Sequence, residues 1–529
     1  MSNLNYDDIF KAVITITEEY NKLIHFAGVC STKSDSIKFV ARYNNSVYES
    51  ELSESRQTGW DFNGVSDSFI FDLYIPFENE GDIDFFVQED NKNLVPAIIS
   101  YAFTSRINDL PHSFFIGDHT LLTRTGNSGS LHVETLEYEK LCSILNSYIN
   151  ENFNGKFQED KDVVKEYLAQ YQVMSKKKIW LISDRPDRAD DNGEYFFKYS
   201  AKINDGIEKY FIVAENSPDV KRLEQVGNIV YHGSARHKLL CLFAEKFISA
   251  HLHGRLRDVC YEKWTIHGNE QYSLYSGLDK TKTIFLQHGI ILHDMAYGLK
   301  KSYQNLKLFF TTSRHEYNSI LESGYGYDES IVKLTGMPRY DSLYDNKRKK
   351  IFFAPTWRYS IPSDELQNSD YCKAINRLLC DKRFIDETKK QGYEILFKPH
   401  PKFAEFAHYF KADEYVQILD YNVSYNKLFA ESSLLITDYS STAFDFAYLK
   451  KPVVYYHFFP NHIGQSYFDF ETMGFGEVIT EHDGLVDTVI KYMENNCAMD
   501  EKYKQRAEDF FAYTDKNNNK RVYNEIIRI

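Results

Sequence analysis

Five polar stretches in this chain each follow an apolar run of strand length, and together they hold the side chains best suited to phosphate chemistry. Ser183-Asp184-Arg185-Pro186 follows Ile182 and leads to Asp190-Asp191-Asn192-Gly193-Glu194, and Gln287-His288-Gly289 follows Leu286. Ala354-Pro355-Thr356-Trp357-Arg358 follows Phe353, Lys398-Pro399-His400-Pro401 follows Phe397, and Asp438-Tyr439-Ser440-Ser441-Thr442 follows Thr437. In the last case an apolar strand, Leu434 to Thr437, runs into a hydroxyl-rich turn and then a helical stretch from Ala443 to Leu449. Pro452 blocks further helix and admits the strand Val453 to Tyr456. Free backbone N–H groups and the helix dipole at such a turn favour an anion, and Ser and Thr add donors without bulk. Two readings stay open for these residues alone, a phosphate cradle and a well-capped helix. His288 by itself reads as a loop or cap histidine, and so does His400. Both standing after strands, one in each half of the alternating region, favours chemistry. Lys398, Arg358, His400 and the serine-rich turn suit a diphosphate, while His288 suits proton transfer at an acceptor hydroxyl.

The elements that must position these residues follow from periodicity. From about residue 177 strands and helices alternate, the pattern of a parallel α/β sheet. Expected strands are Ile179 to Ile182, Tyr210 to Ala214, Ile229 to Tyr231, Thr283 to Leu286 and Leu308 to Thr311, with a helix over His237 to His251. A second series comprises Ile351 to Phe353, Glu394 to Phe397, Val416 to Leu419, Leu434 to Thr437 and Val453 to Tyr456. Two doubly wound halves, 175–345 and 346–529, would face each other across a cleft lined by strand carboxyl ends, where open α/β sheets bind ligands. Ahead of them, 1–130 reads as a β-rich, sandwich-like accessory unit, with alternation at Ile37, Phe39 and Ala41 and again at Phe69, Phe71, Leu73 and Ile75. A helical connector, 131–174, joins it to the first half.

Composition narrows the function class. The 529 residues exceed one core, and 43% apolar content supports folding. The formal net charge of −14 argues against a nucleic-acid-coating surface. Seven scattered cysteines without metal-ligand spacing read as reduced thiols. With neither a leader-like start nor an apolar run of spanning length, the expected location is cytoplasmic. No GxxxxGK[ST] or G-x-S-x-G is present, which excludes a P-loop nucleotidase and an elbow-type serine hydrolase. The residues demand no cofactor. A divalent cation such as Mg2+ is compatible with Asp190-Asp191, although a loop or capping role explains that pair equally well.

The ordered motifs WLISDRPDRADDNGE (180–194), FLQHGI (285–290), TGMPRYDSL (335–343), FAPTWR (353–358), KPHP (398–401) and ITDYSSTAFD (436–445) resemble those of the CDP-glycerol glycerophosphotransferase family. YFDFETMGFGEV (467–478) matches more weakly, and the resemblance spans roughly 175 to 525. It implies a GT-B architecture, two Rossmann-like halves with the CDP-alditol held by the second, and transfer of an alditol phosphate with release of CMP. Carried over by motif, His288 resembles the histidine that activates the acceptor hydroxyl and His400 the one at the donor diphosphate. Asp438, Ser440, Ser441 and Thr442 match the phosphate-binding turn, with Thr356, Arg358 and Lys398 in the same pocket and Arg521 as a basic residue reaching the donor. Asp191, Asn192 and Gly289 fall on the acceptor side. His457-Phe458-Phe459-Pro460 departs from the family, where an aspartate often follows this strand, so alditol recognition is the part left open. The implied partners are CDP-glycerol or CDP-ribitol and a lipid-linked or polysaccharide acceptor, without nucleic acid, and with peripheral membrane contact. The competing readings are a nucleotide-sugar glycosyltransferase on the same fold and a non-catalytic polysaccharide-binding protein.

Overall fold

The computed structural model describes residues 10–529 except 21–22, 32–36, 52, 55–67, 90–92, 102–112, 117–119, 126–128, 153–154, 261–270, 272–273, 276, 359, 363–364, 421–422 and 460–465. Pro460 of the departing motif thus lies outside the described residues. The chain is a mixed α/β fold with two parallel sheets behind a β-rich N-terminal unit.

The N-terminal unit is one continuous eleven-stranded sheet rather than two separate ones. Strand Val95–Tyr101 joins its two parts, pairing parallel with Phe10–Tyr20 and antiparallel with Gly81–Glu89. The parts close over a common core in which Phe39 stacks on Phe71 with ring centres 3.9 Å apart. Alternating apolar residues on each strand supply that core, as the period of two requires. The unit is fastened to the first parallel half by charge. Glu18 receives Lys307 and Asn305, Asp72 receives Lys301, and buried His25 bridges the two carboxylates at 2.9 and 2.8 Å.

The first parallel sheet runs, by starting residue, in the order Asn228, Ile207, Lys178, Lys246, Lys282, Leu306, Val332. Its central strands are buried along nearly their whole length because helices cover both faces. One face carries the helices Tyr138–Asn152 and Gln158–Met174, whose Leu141, Leu145, Val164 and Tyr167 share a core with Ile179, Leu181 and Ile212. The stretch expected as a connector is therefore a packed layer of this half. Three further differences concern strands. Lys246–Ser249 is a strand where a helix was expected to continue to His251, and the helix ends at Phe243. Val332–Leu334 and Gly476–Ile479 are added edge strands.

The second sheet runs in the order Val416, Glu394, Lys350, Leu434, Val453, Gly476. Each sheet changes direction beside its first strand, which opens a crevice at the carboxyl ends. The final helix, Asn518–Ile527, leaves the second half. Its Val522 and Ile526 are buried against Trp180 and Ile182 of the first sheet and Phe196 of the helix Asn192–Ser200. Asp341 fixes its start by accepting from the N–H groups of Asn518 (2.9 Å) and Asn519 (2.8 Å). Gly336, at φ 79°, lets the crossing chains meet, since a Cβ there would stand 2.3 Å from Asn518 Oδ1.

Candidate active site

The first wall is built on the start of helix Asn192–Ser200. Buried Asp184, at the end of strand Lys178–Ser183, accepts from the backbone N–H groups of Asp191 (3.1 Å), Gly193 (2.7 Å) and Glu194 (3.0 Å). Burial, and then the neighbouring Asp191 carboxylate, push Asp184 well above the usual carboxylate range. Asn192 is fully buried and ties two loops together. Its Nδ2 donates to the Gln287 carbonyl (2.6 Å), and its Oδ1 accepts from the Arg339 N–H (3.0 Å). Gln287 sits at φ 62°, a left-handed turn that a non-glycine residue adopts at a cost and that delivers His288 into the cleft. Buried Glu316 secures the far side of that loop, accepting from the N–H groups of Ile291 (2.8 Å) and Thr312 (2.7 Å).

His288 opens onto the cleft and stacks on His251 at 4.4 Å and 18°. The cleft walls around this solvent-open ring disfavour its charged form, and His251 opposes it further. The imidazole is therefore held below its usual range and is a proton acceptor at neutral pH. Asp191 receives His251 Nε2 at 3.1 Å and Arg339 Nη1 at 3.0 Å. Burial alone would raise Asp191, but Arg339 and His251 outweigh it and keep the carboxyl ionised.

The second wall is the turn between strand Leu434–Thr437 and helix Thr442–Tyr448. Asp438 is fully buried beneath it, accepting from the N–H groups of Thr356 and Tyr439, each at 2.8 Å, and from Arg358 Nη2 at 2.6 Å. Arg358 also donates to the Thr356 carbonyl (2.8 Å). These three residues brace the turn from behind, whereas Ser440, Ser441 and Thr442 face the cleft. Lys398 is buried as well and donates to the carbonyls of Asp420 and Val423, so its ammonium supports a loop. His400 Nδ1 accepts from the Lys402 N–H (3.2 Å), which leaves the hydrogen on Nε2 as a donor. Burial, then Arg185 and Lys402, keep that ring neutral.

The walls enclose a cavity of about 230 Å³ lined by Arg185, Arg188, Asp190, Asp191, His251 and His288 on one side and His400, Ser440, Ser441, Thr442 and Asp445 on the other. Arg339 closes it. Its guanidinium makes a fork to Asp445 (2.7 and 2.9 Å) while Nη1 also reaches the His288 carbonyl (2.8 Å). At Gly289 the halves nearly touch, since a Cβ there would stand 2.5 Å from Ser441 Oγ and 3.2 Å from Ser441 Cβ.

Of the residues expected from sequence, His288, His400, Asp191, Ser440, Ser441 and Thr442 meet in this cavity, with Asn192 and Gly289 shaping its floor. Thr356, Arg358, Lys398 and Asp438 lie behind the wall. Arg521 is elsewhere, donating to the Thr335 carbonyl (2.9 Å) and to Asp515 (2.9 and 2.8 Å), which anchors the final helix. Sequence reasoning missed Arg185, Arg188, Arg339 and Asp445, although all four stand inside the quoted motifs. It also missed His251, because the strand that delivers it has the pattern of a helix end. No histidine pairs with Asp191 in sequence, and the fold supplies one sixty residues away. Among the described residues no three His, Cys, Asp or Glu side chains converge as a metal set. Nor is any helix among them long and apolar enough to cross a membrane.

The family described as CDP-glycerol:poly(glycerophosphate) glycerophosphotransferase matches residues 166–528. The chain belongs to this family. The glycerophosphotransferase match begins within helix Gln158–Met174 and includes both parallel sheets and the returning helix. The minor teichoic acid biosynthesis protein GgaB of Bacillus subtilis (strain 168) is 34% identical over 552 residues, covering 98% of this chain and 59% of GgaB. The teichoic acid poly(glycerol phosphate) polymerase of Bacillus spizizenii (strain ATCC 23059 / NRRL B-14472 / W23) is 26% identical over 232 residues, 39% of this chain and 56% of that protein. The chain thus spans a little over half the length of these two relatives. Among solved structures, the wall teichoic acid polymerase TagF superposes with a TM-score of 0.52 at 17% identity, covering 74% of this chain and 97% of TagF. That likeness is one of fold.

Proposed function

We propose that this chain transfers an alditol phosphate from a CDP-alditol to a hydroxyl of a growing teichoic-acid-like or capsular polymer, releasing CMP. The two parallel-sheet halves act as a GT-B pair. The observation that carries this reading is a single cavity in which a neutral, proton-accepting His288 shares space with His400, a hydroxyl-rich turn and Arg185 and Arg188. The donor diphosphate lies against Ser440, Ser441 and Thr442, with the His400 Nε2–H and the two arginines as further donors. An acceptor hydroxyl attacks the β-phosphorus and passes its proton to His288. The bond from phosphorus to the bridging oxygen breaks, and the charge gained by CMP falls beside His400 and Arg185. None of these steps calls for a metal. The acceptor is a lipid-linked or polysaccharide chain end, met at the cytoplasmic membrane face by peripheral contact. Membership of the glycerophosphotransferase family and the kinship with GgaB support the polymer class.

The test is the bond made. Product formed from 13C-labelled CDP-glycerol or CDP-ribitol with a polysaccharide extract is expected to show a new phosphodiester by 31P NMR. A glycosidic bond formed instead from a nucleotide sugar would replace this reading with that of a glycosyltransferase.

A further inference from the structure

Beyond the two histidines already placed, a third shares the cavity. His251 stands two residues past strand Lys246–Ser249, at the carboxyl edge of the first sheet. Its ring lies nearly parallel to that of His288, 4.4 Å away and tilted by 18°. Its Nε2 lies 3.1 Å from Asp191 Oδ2, so that nitrogen carries the hydrogen and Asp191 accepts it. Asp191 is itself held in place by the Asn192 N–H (2.8 Å) and by Arg339 (3.0 Å). The backbone N–H of His251 is pinned to Ser249 Oγ (3.2 Å). The ring is thus clamped at both ends and presents a flat face to His288.

We propose that His251 is the positioning residue of the proton acceptor: stacked between Asp191 and His288, it fixes the His288 ring plane and keeps that ring free of a proton until the acceptor hydroxyl supplies one. This rests on the reading of His288 as the proton acceptor. Two imidazolium rings in a parallel stack repel, so only one proton is stable on the pair. The charged groups that face His288 are His251 beyond the strand Lys246–Ser249, Asp191 at the helix start and Arg339 on the turn Pro338–Ser342. His251 and Arg339 oppose a proton on His288 and Asp191 favours one. Removing His251 therefore raises the proton affinity of His288, and at a given pH less of the base is free.

The test uses the full chain with His251→Phe, which keeps a flat ring and loses the hydrogen bond, and His251→Asn, which keeps a donor to Asp191 and loses the stack. The His288 resonance in 13C-histidine spectra, assigned by its loss in His288→Ala, is titrated without substrate. Its midpoint is expected to rise by about one pH unit in His251→Phe. In turnover, both variants are expected to lose about 10- to 100-fold in kcat, less than the ~10²–10⁴-fold cost of deleting the base itself. KM for the CDP-alditol should stay within about twofold of the parent, and the acid limb of kcat should move toward neutral pH by the NMR shift. An unchanged His288 midpoint with an unchanged acid limb overturns the proposal, whatever the loss in rate. Should the Phe variant not fold, the same midpoint and acid limb are measured in His251→Asn, with the same shift expected. Failure of the underlying reading looks different, because His288→Ala would then turn over normally.

Discussion

Arg339→Met removes the guanidinium that joins the two walls of the cleft. Arg339 is 12% exposed and its partner Asp445 only 2%, and they meet in a two-bond fork of 2.7 and 2.9 Å. Deleting one member of such a pair leaves the other charge buried without a counterion, which typically costs ~3–5 kcal/mol. Burial already raises Asp445 above its ordinary value against the opposing pull of Arg339, so the variant meets its cost by protonating Asp445. For a half of this size each kcal/mol lowers the melting temperature by about 2–4 °C, so a loss of roughly 10 °C is expected. Adding Asp445→Leu removes the stranded carboxyl and should restore at least about a third of that loss. It should not restore turnover, because the ties of Arg339 to Asp191 and to the His288 carbonyl remain absent. Scanning fluorimetry of the parent, both single variants and the double variant measures the first effect, and CMP release the second. A melting temperature for Arg339→Met within about 2 °C of the parent would refute the clasp. So would a double variant whose losses simply add.

Three further outcomes follow from the geometry. Gly289→Ala would set a methyl 2.5 Å from Ser441 Oγ and so displace a hydroxyl of the diphosphate turn, so turnover should fall roughly tenfold with a raised donor KM; equal turnover and KM would show that the halves do not close at this point. Burial raises Glu316 to about 7 in the folded chain, above an unfolded value of 4.5, so its ionisation removes stability as pH climbs through that window, on the order of 3 kcal/mol in all. Glu316→Gln should flatten the urea midpoint between pH 5 and 8, and a profile parallel to the parent would count against a buried, neutral Glu316. Arg521→Ala should bind CDP as the parent does by calorimetry while melting earlier, because its guanidinium serves Thr335 and Asp515; a large loss of affinity would return Arg521 to the donor site.

What was legible in the sequence was whatever short range controls. Strands Glu394–Phe397, Leu434–Thr437 and Val453–Tyr456 have the expected bounds because apolar runs between Pro, Gly and capping residues leave little choice. The chemistry-bearing loops were legible for the same reason, since a polar cluster after a buried strand has to emerge at the sheet's edge. Roles within those loops were not. Lys398, Arg358 and Asp438 look like phosphate ligands by type, but which partner a charged group takes depends on neighbours far along the chain, eighty residues away for Arg358 and Asp438. Lys246–Ser249 was lost because KFIS carries too few residues to separate a buried strand from the end of a helix. With it went His251. The return of Asn518–Ile527 to the first half is likewise a tertiary decision that its own helical pattern does not announce.

The proposed function puts a CDP-alditol and a proton-accepting His288 in one cavity. The most direct measurement is CMP release from CDP-glycerol, CDP-ribitol and a set of nucleotide sugars, by the parent chain and by His288→Ala, with CDP-alditol affinity measured in parallel. Turnover is expected with a CDP-alditol alone, with a loss of ~10²-fold or more in His288→Ala and donor affinity that survives the substitution. Normal turnover by His288→Ala, or turnover with a nucleotide sugar and no CDP-alditol, would contradict it.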